Sequence, residues 1–339
     1  MKLITLIFLF LSTTVLAQKA YIVINETNGS VLLENNSTLK HYPASLTKMM
    51  MLYIAFDALK KNILNENTLL KVSKKASEQV PSKLGLKNGT TITLKNTLLG
   101  IIIKSANDAS VVLSEHLSGK EKTFASIMTA TAKQIGLSKT NFENSSGLGD
   151  EDQVSSAKDM ALLGLALYRH FPKYYKWFSI KSFVFEGKKI SSHNHLFKRY
   201  KGVDGLKTGY IKKAGYNSVV SSKQNGKRLF GVVLGAESII KRDNKMIEIL
   251  NKGFAQLGVN VNYSRENEKY TVQLGAFSNK NNAEKILGNY NQNKKIIKKN
   301  VKNKTLYLAL LTNLSYDTAY RKCNFIKSKG SECLIKLGK

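Results

Sequence analysis

Ser45 and Lys48 stand three residues apart in Ser45-Leu46-Thr47-Lys48, at a predicted helix start where positions i and i+3 share a face. A serine hydroxyl is nearly inert at neutral pH and needs a base within hydrogen-bond reach. Burial would depress the Lys48 pKa and let its neutral amine accept the Ser45 proton. The helix N-terminus would also aim backbone N–H groups at developing negative charge. Alone, Ser-x-x-Lys more often marks a surface helix turn. Two further clusters change that reading. Ser105-Ala106-Asn107 follows an apolar helical stretch, Leu98 to Ile103, and offers a hydroxyl and an amide to bracket a substrate. Lys207-Thr208-Gly209 follows Gly205 and precedes a hairpin. It offers a cation, a hydroxyl and a bare backbone along which a substrate could pair as an added strand. Their plain readings are a polar helix-to-loop cluster and a strand edge with a turn. Together, in this order, they point to a serine hydrolase with Ser45 as nucleophile and Lys48 as base.

These residues need a scaffold. Ala20–Ile24 and Ser30–Glu34 flank Asn28-Gly29, a hairpin signal because both turn residues tolerate positive φ. The helix from Ser45 is apolar nearly all round, so it is expected to be buried. Helical stretches follow at Leu94–Leu117, expected as two helices, at Thr123–Ile135 and at Lys158–His170, the last with Ser156 and Asp159 spaced as an N-cap pair. Tyr216–Ser221 and Arg228–Leu234 flank a second turn, Asn225-Gly226, and Lys245–Leu257 reads as a closing helix. Hairpin, helical block and hairpin build an α+β domain in which both chain ends feed one antiparallel sheet. Residues 260–269 are polar and charged and read as a linker. Beyond them, strand, helix, two strands, helix and strand follow in a ferredoxin-like order.

The first residues bear on the compartment. Met1-Lys2 precedes an apolar run to Leu16, and Val15-Leu16-Ala17 offers a cleavage site, so residues 1–17 read as a secretory signal peptide. The run is shorter than the roughly 20 apolar residues of a membrane span, so no transmembrane anchor is expected in the mature chain. Of the 339 residues 42% are apolar, enough for a sizeable core. The formal net charge of +30 suits a polyanionic envelope surface or wall polymer, or a Lys-rich composition that simply keeps the chain solvated. A secreted protein seldom meets nucleic acid, so none is expected as a partner. Cys323 and Cys333 admit either a disulfide or two free thiols.

The three clusters resemble the motifs of penicillin-binding proteins and serine β-lactamases. Their surroundings resemble the low-molecular-mass D-alanyl-D-alanine carboxypeptidases more closely: Pro43 to Met50, Ser105 to Ala109, Asn144 to Leu148, His193 to Leu196 and Gly202 to Tyr210 all fit, over roughly residues 20 to 256. The resemblance implies a β-lactamase/transpeptidase-like catalytic domain over residues 18–259. It also implies an acyl-enzyme formed on Ser45 by the penultimate D-alanine of a peptidoglycan stem peptide. Lys48 is then the base, and Ser105, helped by Lys207, relays the proton to the leaving amine. Asn107 orients the substrate or Lys48. The N–H groups of Ser45 and Tyr210 form the oxyanion hole. Thr208, Lys207 and Arg242 hold the terminal carboxylate along the Gly209 backbone, and β-lactams act as covalent inhibitors. Residues 270–339 resemble a SPOR domain, which implies binding of glycan strands stripped of their peptides, with Gln273 and Phe277 touching sugar on the open sheet face. Leu308 to Asn313 departs from that pattern, in which this strand ends in Gly-Pro-Phe. A periplasmic location follows, with the division septum as a site of enrichment.

Other chemistries fit less well. None of the five His sits in a nucleophile-elbow context, and His193-x-His195 lacks further ligands at metal spacing. No cofactor is called for. Lys294-Lys295 and Lys298-Lys299 read as a phosphate-binding strip or as a solvated face. A β-lactamase would need a deacylating glutamate pattern that Glu143 and its neighbours do not provide. A D,D-endopeptidase acting on cross-links, or a catalytically idle glycan-binding scaffold, remain as competing functions.

Overall fold

The computed structural model describes residues 19–261, 269–291, 293–301, 304–330 and 332–337. The signal segment and most of the expected linker lie outside the described residues. The chain divides into two compact units at Val261/Asn262.

The first unit opens on a hairpin of β1 (Ala20–Asn25) and β2 (Val31–Asn35). A 3₁₀ turn, Ala44–Thr47, runs into α1 (Lys48–Lys60). The short strands β3 (Leu69–Lys71) and β4 (Thr91–Thr93) pair around α2 (Lys74–Ser77). Next come α3 (Leu94–Leu99), a π turn over Gly100–Lys104, α4 (Asn107–Ser118), α5 (Glu121–Gln134), α6 (Ala157–His170) and α7 (Pro172–Tyr175). A small hairpin, β5 (Ser182–Phe185) and β6 (Lys188–Ser191), leads through α8 (Leu196–Arg199) to β7 (Val203–Ile211), β8 (Gly215–Gln224) and β9 (Lys227–Ala236). Helix α9 (Ile239–Gln256) closes the unit.

One antiparallel five-stranded sheet, in the order β2-β1-β9-β8-β7, joins the two ends of the unit as the hairpin pattern implies. Consecutive residues of β9 show why helices cover both faces. Phe230 packs beside Gly164 of α6, whereas Gly231 lies against Met246 and Leu250 of α9. Helix α1 runs through the core: Met49, Met50, Met51, Leu52, Ala55 and Phe56 are fully buried, as its unbroken apolar surface predicts. Ser156 caps α6 by accepting from Asp159 N. Two expectations need correction. Helix α9 begins six residues before Lys245, because Ser238 accepts a hydrogen bond from Lys241 N and so caps a start among β-branched residues. The segment carrying Lys207 is a full strand, whose glycines and charges hide its period. Among the described residues no helix is long and apolar enough to cross a membrane.

The second unit is β10 (Tyr270–Phe277), α10 (Lys280–Gly288), β11 (Lys294–Val301), β12 (Lys304–Leu314), α11 (Tyr316–Ser328) and β13 (Leu334–Leu337). Its sheet order, β11-β12-β10-β13, is the ferredoxin-like arrangement. Val272, Ala309 and Leu311 pack with Ala283 and Leu287 of α10 and with Ala319 and Ile326 of α11 on one face of that sheet. A disulfide joins Cys323 to Cys333 across ten residues. Closing a loop of that size restricts the unfolded chain by about 2–3 kcal/mol. Cys323→Ser is therefore expected to lower the thermal transition of this unit and leave that of the first unlabelled by the change, a split that calorimetry of the full chain resolves.

Candidate active site

Ser45 sits half-buried on the 3₁₀ turn, and Lys48 is the first, fully buried residue of α1. The Lys48 amine lies 3.0 Å from Ser45 Oγ, 2.9 Å from Asn107 Oδ1 and 2.5 Å from the Ser146 carbonyl oxygen. Two of these neighbours can only accept. Asn107 is held in that orientation because its Nδ2 donates to Val80 O at 2.8 Å. A neutral amine has two N–H bonds and one lone pair. The two acceptors use the N–H bonds, which leaves the lone pair for Ser45, the one neighbour able to donate. Burial first, then the charge of Lys207, hold the Lys48 pKa well below the usual lysine range, while Glu121 and Asp108 pull the other way.

Ser105 ends the π turn in a left-handed conformation, with φ of 59°, and this non-glycine strain brings its hydroxyl to Lys207. Lys207 Nζ donates to Ser105 Oγ at 2.8 Å and to Thr208 O at 2.9 Å. Burial, followed by the Arg242 charge, lowers the Lys207 pKa to about 7. β7 is the last strand of its sheet, so the edge carrying Thr208, Gly209 and Tyr210 has no strand partner on its outer side among the described residues. A Cβ on Gly209 would stand 3.0 Å from Pro43 O and 3.1 Å from Ser45 N, tighter than ordinary contact, so the bare backbone lets this edge lie against the nucleophile turn without displacing it. Tyr210 is half exposed and stacks on Tyr216 with ring centroids 4.3 Å apart. Arg242 is buried, and its Nε and Nη2 both donate to Asp243 Oδ1 at 2.9 and 2.7 Å. Its charge reaches the cleft through its effect on Lys207. His193 lies near Lys207 and Lys104, and the surrounding protein and these cations lower its pKa. Among the described residues no group of three or more His, Cys, Asp or Glu side chains could hold a metal.

The motifs miss several residues that hold this arrangement. The Ser146 carbonyl is a backbone group that no side-chain pattern reveals. Its loop is fastened by Ser145, whose N–H and hydroxyl both donate to Glu121 Oε1. Burial pushes the Glu121 carboxyl up, but the hydrogen bonds from Lys75 and Ser145 outweigh it and hold the pKa below the ordinary value. Asn217 of β8 donates to Tyr42 O and Pro43 O and ties the nucleophile turn to the sheet. Buried Asp108, one residue past Asn107, accepts from the backbone N–H groups of Leu84, Gly85 and Leu86. That loop also supplies Val80 O and Ser82 O, which fix Asn107. Asp108→Asn replaces one accepting oxygen with an NH₂ group, a buried mismatch costing about 3 kcal/mol. It also removes a charge that favours protonated Lys48. The expected result is a lower melting temperature with the acid limb of acylation displaced toward lower pH, and a limb displaced upward would contradict this account.

In the second unit Gln273 lies on the sheet face away from the helices, within 3.2 Å of Lys336 Nζ. Phe277 does not share that face, contrary to the sequence expectation. The β10–β12 register shifts between Gln273 and Gly275, so Phe277 pairs with Tyr307, and both pack against the helix-side core. The extra residue at Leu274 reverses the alternation.

A hydroxyl beside a buried lysine, a second Ser–Asn pair and a lysine on the edge strand of a helix-flanked antiparallel sheet define the penicillin-binding-protein class of serine peptidases. Residues 11–238 match the family model of D-alanyl-D-alanine carboxypeptidases, peptidase family S11, and residues 266–336 match the SPOR domain. D-alanyl-D-alanine carboxypeptidase DacA of Haemophilus influenzae is 35% identical over 273 residues, covering 76% of this chain and 70% of that protein. DacA of Escherichia coli K12 is 34% identical over 243 residues, covering 70% of this chain but 60% of its own length. Among solved structures, penicillin-binding protein 5 of Haemophilus influenzae aligns with a TM-score of 0.68 at 30% identity, covering 88% of this chain and 82% of that one. Penicillin-binding protein D2 of Listeria monocytogenes in its cefotaxime-bound form aligns with a TM-score of 0.63 at 30% identity, covering 69% and 96%. The chain belongs to the D-alanyl-D-alanine carboxypeptidase family of serine peptidases and carries a SPOR domain after the peptidase unit.

Proposed function

We propose that this protein is a periplasmic serine carboxypeptidase that removes the terminal D-alanine from peptidoglycan stem pentapeptides and is held on wall glycan by its SPOR domain. The observation that carries the reading is the surroundings of Lys48, whose buried amine lies within hydrogen-bond reach of Ser45 Oγ and of two fixed acceptors. A neutral amine with both N–H bonds occupied there turns its lone pair to Ser45. Ser45 Oγ gives its proton to that amine and attacks the carbonyl carbon of the penultimate D-alanine. The oxyanion is met by the N–H groups of Ser45 and Tyr210. As the C–N bond breaks, Ser105 passes a proton to the leaving amine and is resupplied by Lys207, 2.8 Å away. Thr208, Lys207 and Arg242 receive the terminal carboxylate, while Asn107 keeps Lys48 in place. Water then hydrolyses the ester, releasing the shortened peptide and free Ser45. A β-lactam, entering as the same acyl donor, stays on Ser45 as a slowly hydrolysed adduct.

Mass analysis after incubation with a pentapeptide muropeptide and a cross-linked dimer tests this. Free D-alanine from the first, with the dimer intact, is expected; cleavage of the dimer alone overturns the carboxypeptidase assignment. Labelling by a fluorescent penicillin is expected to vanish in Ser45→Ala, and persistent labelling removes Ser45 from its role.

A further inference from the structure

The open face of the second unit carries a pattern that sugar binding alone does not explain. Strand register sets Lys295 opposite Leu310 and Lys299 opposite Leu306, and Gln273 pairs with both Leu310 and Leu334. Ala309 and Leu311, the alternate residues of β12, face the helices, so this set lies on the other side. Leu310 is buried yet stands outside the helix-side core, whereas Ile297 and Leu334 are 39% and 50% exposed. The face is thus an aliphatic strip with lysines on both edges, Lys295 and Lys299 along β11 and Lys336 on β13. None of the four strands contains an Asp or Glu. Lys295 and Lys299 are four residues apart, about 13 Å along an extended strand.

Hydrolysis of the amide between a stem peptide and the lactyl group of a muramyl sugar adds water across that bond. The peptide leaves as an amine, and the glycan keeps a carboxylate. A stripped strand is therefore a polyanion whose carboxylates sit directly on an otherwise neutral backbone with apolar C–H faces. We infer that the Lys295–Lys299 edge of this sheet reads those lactyl carboxylates, so that the free acid left by peptide removal is itself the recognised group. This rests on the glycan-binding reading of the SPOR domain and adds the chemistry of discrimination. Intact strands present a neutral amide at each such position, and their remaining carboxylates stand farther out along a bulky peptide, away from the sugar backbone that lies on the strip.

The test uses the full-length mature chain and amidase-treated sacculi, before and after carbodiimide amidation of their carboxylates. Amidation is expected to weaken binding, as is Lys295→Gln with Lys299→Gln, each by about five- to tenfold at low salt, and the difference should shrink as salt rises. Arg at both positions should restore binding. Lys294→Gln with Lys298→Gln removes equal charge from the opposite side of the same strand and should change little. Equal losses from both pairs, or undiminished binding to amidated sacculi, overturn the inference. If vesicles containing anionic phospholipid, but not sacculi, lose the Lys295/Lys299 variant, the face belongs to a membrane and the inference fails. No binding of the unaltered chain to treated sacculi would instead remove the underlying glycan reading.

Discussion

Lys48→Arg is expected to slow acylation of Ser45 by about 10³-fold or more, although the substitution keeps a long cationic side chain. Once deprotonated, the wild-type amine can spend its two N–H bonds on Asn107 Oδ1 and Ser146 O and turn its lone pair to Ser45, 3.0 Å away. A guanidinium still donates to those acceptors, but it has no accessible neutral form near pH 7 and no lone pair to offer. The base is lost while much of the hydrogen bonding survives. The pH dependence separates this from simple misplacement. For the wild type, acylation efficiency should rise with pH as Lys48, whose pKa is lowered by burial and Lys207, loses its proton. It should fall above about 7, where Lys207 in the free enzyme loses the charge that receives the substrate carboxylate. Bound carboxylate favours protonated Lys207, so under saturating substrate the falling limb should move to higher pH. In Lys48→Arg the rising limb should vanish and the falling limb persist. Rapid penicillin labelling across pH reports both. A variant that keeps the rising limb would assign the base to another group.

The sequence carried the chemistry more fully than the geometry that supports it. Ser45 and Lys48 were legible because helical spacing sets them on one face and the Ser105–Asn107 and Lys207–Gly209 clusters follow in order. The outer hairpin of the sheet and the β8–β9 hairpin were legible because Asn-Gly turns sit between β-branched runs. Strand β7 was not, since Gly205, Lys207 and Gly209 interrupt any alternation, and its extended form is imposed by pairing with β8. The short β3–β4 and β5–β6 pairs are likewise fixed by their surroundings rather than by local pattern. Ser146 was invisible for a different reason: its contribution is a carbonyl oxygen, and every residue has one. Phe277 marks a third limit. The SPOR resemblance implied that Gln273 and Phe277 share the open face, but a single extra residue in β10 sent the ring to the helices. Motif reading picks out candidate side chains; it does not count the bulges that aim them.

Gly147→Ala is expected to destabilise the first unit by about 4 kcal/mol and to reduce penicillin acylation by about 10²-fold or more. Gly147 has φ of +87°, and a Cβ there would fall 2.0 Å from Ala44 O, 2.3 Å from Ala44 C and 2.9 Å from Ser45 N. Those atoms are backbone, so no side chain can swing aside. The left-handed conformation adds about 1–2 kcal/mol for any residue with a Cβ. Relief requires either the Ala44–Ser45 turn or the Ser146–Gly147 peptide to move. The first displaces the nucleophile and its N–H, while the second withdraws the carbonyl that orders Lys48. Both routes damage the same reaction, so folding and labelling should fail together. Gly149 supplies the comparison two residues along the same loop. Its φ is also positive, at +47°, but a Cβ there meets nothing within 4 Å. Gly149→Ala should therefore lose only the conformational cost and keep near-normal labelling. Matched melting curves and labelling rates decide the point: if the two alanine variants behave alike, the contact with Ala44 is not what makes Gly147 necessary.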